Sequence, residues 1–312
     1  MSAFLVDRST RLRMLFSGEK AKESLGGLVT NDVVALHAGH GHRAVALTPK
    51  GRVIALVRVF DRGADLLVDC EPASAEAFTS MIRKFVNPRT AKYSVVTSQT
   101  ACLGVYGANA TKLLAPLLGS THETFDALAP LSIWRSADGT LDVIRSDDLS
   151  VPGLDIVGEP TRVAELRAAL ESQGLSEATA EQLEILSVER GLPRFGVEMD
   201  GETIPQEANL DALGAISFTK GCYTGQEVVA RIHFRGHVNR HLRWLRAESP
   251  LPRGATVLDH EGKEIGDVRS SVRSPERGAL AIAMLRREVV PGSEVQLLDG
   301  ERRLTARVEA IA

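Results

Sequence analysis

The sequence predicts an α+β protein that ends in a small all-β domain. Three observations predict this. Strand-like and helix-like segments alternate over the first two thirds of the chain. From about residue 238 only short strand patterns and turns remain. The 312 residues also exceed what one compact core accommodates, so two or three domains are expected. Apolar residues make up 44% of the chain and charged residues 25%, the balance of an ordinary globular protein.

The elements follow in order. HRAVALTPKGRVIALVRVF (42–60) reads as two strands around a Pro-Lys-Gly turn, and ADLLVDCE (64–71) as a third. SAEAFTSMIRKFV (74–86) is helical, with Ala77, Met81, Ile82 and Phe85 on one face, Ser74 as cap and Pro88 as stop. YSVVTSQTACLGVYG (93–107) returns to strand. ATKLLAPLLG (110–119) is a short helix closed by Gly119 and strained by Pro116.

A second α+β cycle repeats the pattern. SIWRS and TLDVIRSD form strands around Asp138-Gly139, and LDIVG (154–158) adds another. Helices are expected at 161–174 and 176–191, closed by Gly174 and Gly191. The remaining segments are short strands, with turns at His260-Glu261-Gly262-Lys263 and Asp299-Gly300, so the C-terminal part reads as a small β-barrel or a sandwich. The expected domains are 1–120, 121–237 and 238–312.

The net charge of −3 supplies no basic field for nucleic acid or an anionic membrane, so no direct nucleic-acid partner is expected. The N-terminal MSAFLVDRSTRLRMLF lacks the features of a signal peptide, and no apolar run reaches the roughly 18–20 residues that span a bilayer. A cytoplasmic protein with no membrane partner is expected.

The three cysteines are too few and too scattered for a disulfide framework. Cys70 and Cys102 lie in apolar strands and read as buried small residues. Cys222, in KGCYTGQE (220–227), is different. Thr224-Gly225-Gln226-Glu227 fits a capping box, so a helix over 225–232 is expected, with a strand start as the competing reading. Just ahead of a helix N-terminus and beside Lys220, Cys222 would favour the thiolate; an inert buried thiol is the alternative. The repeats His233/His237/His241 and His37/His40/His42 lack the cysteine or carboxylate pattern of a metal site, so no metal is assigned.

KGCYTGQEVVARIHFRG (220–236) resembles the signature of the YgfZ family, folate-binding relatives of the glycine-cleavage aminomethyltransferase. The segments GLVTNDVVALHAGHGHRAVALTPKGRVIALVRVF (27–60) and ERGLPRFGVEMDGETIPQEANLD (189–211) resemble the family as well. The resemblance implies two interlocked α+β domains and a β-barrel in a three-domain ring around a folate channel. It also implies tetrahydrofolate as cofactor, and iron–sulfur proteins or cluster-assembly factors as partners. One departure stands out: the acidic pair of the aminomethyltransferases falls on Ala55 and Leu56, which removes the acid/base group that aminomethyl transfer uses.

On that basis Cys222 and Lys220 are the candidate reacting pair. Glu198 is the candidate pterin ligand, because a carboxylate can accept the 2-amino group and the ring N–H together. Asn31, Asp32, Glu189, Tyr223, Gln226, Glu227 and Arg231 complete the expected folate set. Each also has a plain structural reading: turn or cap for Asn31 and Asp32, core packing for Tyr223, capping for Gln226 and Glu227, a solvated face for Glu189 and Arg231. The leading function is an accessory protein of iron–sulfur cluster assembly or maintenance, with enzymatic turnover left open. A folate-dependent one-carbon transferase and a pure interaction module with a vestigial pocket are the competing readings.

Overall fold

A computed structural model describes residues 2–299 and 302–311. The chain forms two compact units. The first comprises Met1–Leu47, Ile54–Thr179 and Ala215–Thr224; the second comprises Thr48–Val53, Ala180–Gly214 and Gly225–Ala312.

The first unit is built on two five-stranded sheets. One has the strand order Gly41–Leu47, Val53–Asp61, Leu66–Cys70, Leu12–Ser17, Lys92–Val95. The other runs Phe4–Asp7, Ala101–Tyr106, Gly153–Gly158, Leu141–Ser146, Ile133–Arg135. Leu66–Cys70 and Gly153–Gly158 are buried along their whole length, which requires cover on both faces. Phe60 and Leu67 of one sheet pack with Cys102, Ile133, Ile144 and Val157 of the other. The opposite face of the first sheet meets Phe78, Met81 and Ile82 of the helix Ala75–Phe85. The opposite face of the second meets Val163, Leu166 and Leu170 of the helix Pro160–Ser172. The order helix, sheet, sheet, helix follows from these three apolar contacts.

The second unit contains the helices Ala180–Arg190 and Gln226–Arg235 and a closed six-stranded barrel. The barrel order is Arg240–Ala247, Gly278–Arg286, Glu264–Ser274, Thr256–Leu258, Glu294–Asp299, Arg302–Glu309, and the last strand pairs back onto the first. Closure removes free sheet edges and decides between barrel and sandwich. Leu245, Val257, Leu285 and Leu297 fill its interior. Of the Asp299-Gly300 turn, Gly300 lies outside the described residues.

Several local expectations are corrected. The N-terminal strands Phe4–Asp7 and Leu12–Ser17 add to the elements read from the sequence and join different sheets. Residues 93–107 are two strands, Lys92–Val95 and Ala101–Tyr106, separated by a 3-10 turn at Thr97–Gln99 and again in different sheets. In the helix Ala75–Phe85 the inward face carries Phe78 rather than Ala77, Phe85 is exposed, and Ser74 makes no side-chain cap. The helix expected from 176 starts at Ala180, because Ser176 and Ala178 bond the main chain of Leu5 instead. Pro116 acts as expected: the α-helix Ala110–Leu114 tightens to a 3-10 turn over Ala115–Leu118 and ends at left-handed Gly119.

Candidate functional site

The motif KGCYTGQE straddles the division of the chain. Lys220 to Thr224 belong to the first unit, and Gly225 opens the second.

In the first unit, Lys220 is an anchor. Its Nζ donates to the carbonyl oxygens of Val29 at 2.9 Å and Asn31 at 3.1 Å, and also to that of Gly26. An ammonium has three N–H donors, so the set is complete. Burial lowers the Lys220 ammonium from 10.5 to about 8, with Asp32 working the other way. Tyr223 is buried, and burial raises its phenol to about 12. Thr224 N–H donates to Gly27 O at 3.1 Å, and Thr30 Oγ1 donates to Ala215 O at 2.6 Å. The motif is thus pinned on both sides of Gly221-Cys222 to one segment, 26–31.

Between these anchors Cys222 is exposed, whereas Cys70 and Cys102 are buried. Burial raises both of those thiols to about 12, which keeps them protonated and inert. The buried-thiol reading of Cys222 is therefore removed, and no disulfide joins it to another cysteine.

Asn31 and Asp32 form a local turn. Asn31 Nδ2 donates to Arg43 O at 2.8 Å, its Oδ1 accepts from Asp32 N at 2.9 Å, and Asp32 Oδ1 accepts from Ala35 N at 3.2 Å. Beside them the half-buried His42 ring is held towards its neutral form by burial, with Lys220 adding to the effect.

In the second unit, Gly225 rather than Thr224 is the N-cap of Gln226–Arg235, and no side-chain cap forms. The capping box is not made: Gly225 turns left-handed at φ 83°, a conformation glycine adopts without strain. Glu227 is exposed in the first turn, where it complements the helix dipole, and exposed Arg231 follows one turn later on the same face. Gln226 is half-buried. Gln206 Nε2 fixes the helix by donating to Val229 O at 2.9 Å. Gly51 also lets the 48–53 turn approach this helix: a Cβ there would stand 2.8 Å from Val228 Cβ.

Glu198 is fully buried. Its Oε1 accepts from Arg194 Nη2 at 2.6 Å; its Oε2 accepts from Arg194 N at 2.9 Å and Nε at 3.1 Å. Glu184 grips the other side of the same guanidinium at 2.5 and 2.9 Å. A carboxylate has about four acceptor positions, and three are taken here. One acceptor position, on Oε1, is left; accepting two N–H groups side by side, as a pterin would present them, requires displacing an Arg194 contact. The donor set fits a folate to that extent. Glu189 accepts from Ser274 Oγ at 2.5 Å and ties its helix to the barrel.

Sequence reasoning missed Arg194, although its four-residue spacing from Glu198 on a turn of chain was a visible signal. It also missed His42 as a neighbour of Lys220, and Gln206. The histidine repeats do not persist as faces: His233 lies on the helix Gln226–Arg235, His241 on the strand Arg240–Ala247 and His237 between them.

Comparison with known proteins agrees with this architecture. Residues 1–140 match the GCVT N-terminal domain, and residues 240–312 match the CAF17 C-terminal beta-barrel domain. The solved aminomethyltransferase T of the Bartonella henselae glycine cleavage system superposes with a TM-score of 0.90 at 20% identity, over 99% of this chain and 85% of that one. The chain therefore has the aminomethyltransferase-like α+β fold with a closed C-terminal barrel.

The tRNA-modifying protein YgfZ of Hamiltonella defensa is 30% identical over 75% of this chain and 67% of its own length. Those of Klebsiella pneumoniae and Serratia proteamaculans are each 28% identical, over 91% and 94% of this chain and 85% of theirs. The chain belongs to the YgfZ family. No described helix is long and apolar enough to cross a membrane.

Proposed function

We propose that this protein is a tetrahydrofolate-binding accessory protein that assembles or maintains iron–sulfur clusters in client enzymes, with Cys222 as its reacting group. One observation carries the reading. Of three thiols only Cys222 is exposed, and Lys220 and Tyr223, which flank Gly221-Cys222, are fastened by three carbonyl bonds and by burial respectively. A thiol presented on a fixed loop suits reaction with an external partner better than packing. One cysteine cannot hold a cluster within a single chain, so the cluster is cargo shared with a partner.

Glu198 is the proposed pterin contact, through the position left on Oε1. Ala55 supports an accessory role over aminomethyl transfer: it is fully buried in the apolar core of its sheet, where a carboxylate would be strongly penalised. The name borne by the relatives directs the choice of client towards an iron–sulfur enzyme that modifies tRNA.

The test is complementation in cells lacking the protein, reading the modified nucleoside made by such a client. Cys222→Ala is expected to lose at least about tenfold of the restored modification while the purified variant keeps its melting temperature. Full complementation by Cys222→Ala would refute the assignment.

A further inference from the structure

A small cleft in the first unit is lined by residues of both its sheets. It has a volume of about 230 Å3, and its lining includes apolar Leu15, Leu67 and Val157 and charged Arg62, Asp142 and Glu159. No residue of the Cys222 motif lines it.

Asp142 is the unusual member. It is 4% exposed, yet its Oδ1 has no hydrogen-bond partner. Oδ2 accepts from Arg62 Nη1 at 2.8 Å. Arg135 Nε stands 3.9 Å from Oδ1, beyond hydrogen-bond distance, and that side chain is held by its own Nη2 bond to Gly139 O at 2.8 Å. Asp142 is the direct cross-strand neighbour of Val157, so the two side chains share one sheet face. Val157 lines the cleft, and Asp142 faces it from the same side. Burial raises the Asp142 carboxyl above its ordinary value, and Arg62 and Arg135 only partly offset this.

We propose that this cleft binds a small primary ammonium group carried on a short apolar stem. A buried acceptor without a donor is costly, and a ligand donor removes that cost. The local charges favour a cation: Asp65 and Asp142 balance Arg62 and Arg135, and exposed Glu159, whose Oε2 accepts from Arg162 N, adds a further negative charge to the lining. An ammonium fits better than a guanidinium. Only one carboxylate oxygen is open, whereas a guanidinium fork seeks both and would contest Arg62 for Oδ2. Leu15, Leu67 and Val157 supply the apolar wall for the stem.

The experiment is NMR titration of the full-length protein with n-butylammonium, n-butylguanidinium and n-butanol. Shifts confined to residues around Asp142 and saturating at millimolar n-butylammonium are expected, with binding at least about fivefold weaker for the other two. Asp142→Asn should weaken n-butylammonium binding at least about tenfold, whereas Arg135→Ala should not weaken it. Absence of saturable shifts in the wild type overturns the proposal. So does unchanged affinity in Asp142→Asn with its melting temperature preserved. Should Asp142→Asn not fold, Leu67→Trp, which fills the cleft and keeps the carboxylate, must abolish the shifts; persistence of binding there also overturns it.

Discussion

The Lys220 ammonium lies 5.1 Å from the centre of the Tyr223 ring, so the residues flanking Gly221 and Cys222 meet each other beneath an exposed thiol. This cation–π pair and the three carbonyl bonds of Lys220 hold the loop without using the sulfur. Cys222→Ala should therefore change stability by no more than about 0.5 kcal/mol, the usual range for an exposed position. Thermal unfolding of the variant checks this, and a loss above about 2 kcal/mol would mean the thiol is structural after all.

Lys220→Met should behave in the opposite way. Removing the ammonium leaves the carbonyls of Gly26, Val29 and Asn31 without it, at an expected cost of about 1–3 kcal/mol. The pH dependence has a definite sign. The folded lysine titrates near 8 and the unfolded one near 10.5, so between these values the unfolded chain holds more protons. The contribution of Lys220 to stability, measured as wild type minus Lys220→Met, should rise with pH through that window. Urea midpoints at pH 7.5, 9 and 10 read it directly, and a falling difference would contradict the assignment.

Arg194 and Glu198 form a second testable pair. Arg194→Met strips a fully buried carboxylate of its two side-chain hydrogen bonds and should destabilise the protein by about 3–5 kcal/mol; the main-chain bond from residue 194 survives and keeps the figure towards the lower end. Glu198→Gln retains an acceptor and the packing, so about 1–3 kcal/mol is expected. Chemical denaturation of both variants gives the ordering, and a larger loss from Glu198→Gln would reverse it.

A buried charge network in the first unit makes a prediction in acid. Arg58 bonds Asp69 at 2.5 and 2.8 Å, Asp155 at 2.7 Å and Asp148 at 3.0 Å, while Arg8 and Arg11 complete the set. Burial alone would raise the Asp69 carboxyl; Arg11 and Arg58 outweigh it and hold Asp69 well below its ordinary 3.8. Asp148 is depressed in the same way by Arg58, Arg8 and Arg43. Depressed carboxyls contribute stability that is present above the unfolded value and lost as pH falls through the folded one. Wild type should thus lose stability more steeply than Asp69→Asn between pH 4 and pH 2, and parallel acid curves would sink the account.

The sequence made the long, regular elements legible and hid what depends on distant pairing. Helix 161–174, the 42–60 hairpin and the C-terminal strands carry their own periodicity and turn residues, and each formed as expected. Leu12–Ser17 did not read as a strand because charged Arg13 interrupts its apolar pattern; Arg13 is buried and its guanidinium donates to the carbonyls of residues 9, 97 and 100. Cys222 was legible from its motif, but its exposure was not, since Lys220 reaches carbonyls some 190 positions away in the chain. The Glu198 environment was hidden for the same reason on a shorter scale: nothing in FGVEMD announces complete burial.

The most direct test of the central claim is anaerobic isothermal titration of the purified protein with tetrahydrofolate and its 5-formyl derivative, repeated on Glu198→Gln. The account predicts saturable one-to-one binding to the wild type and at least about tenfold weaker binding to Glu198→Gln. No heat of binding at millimolar folate would contradict the folate-dependent function and leave Cys222 as a reactive group on a protein-interaction module.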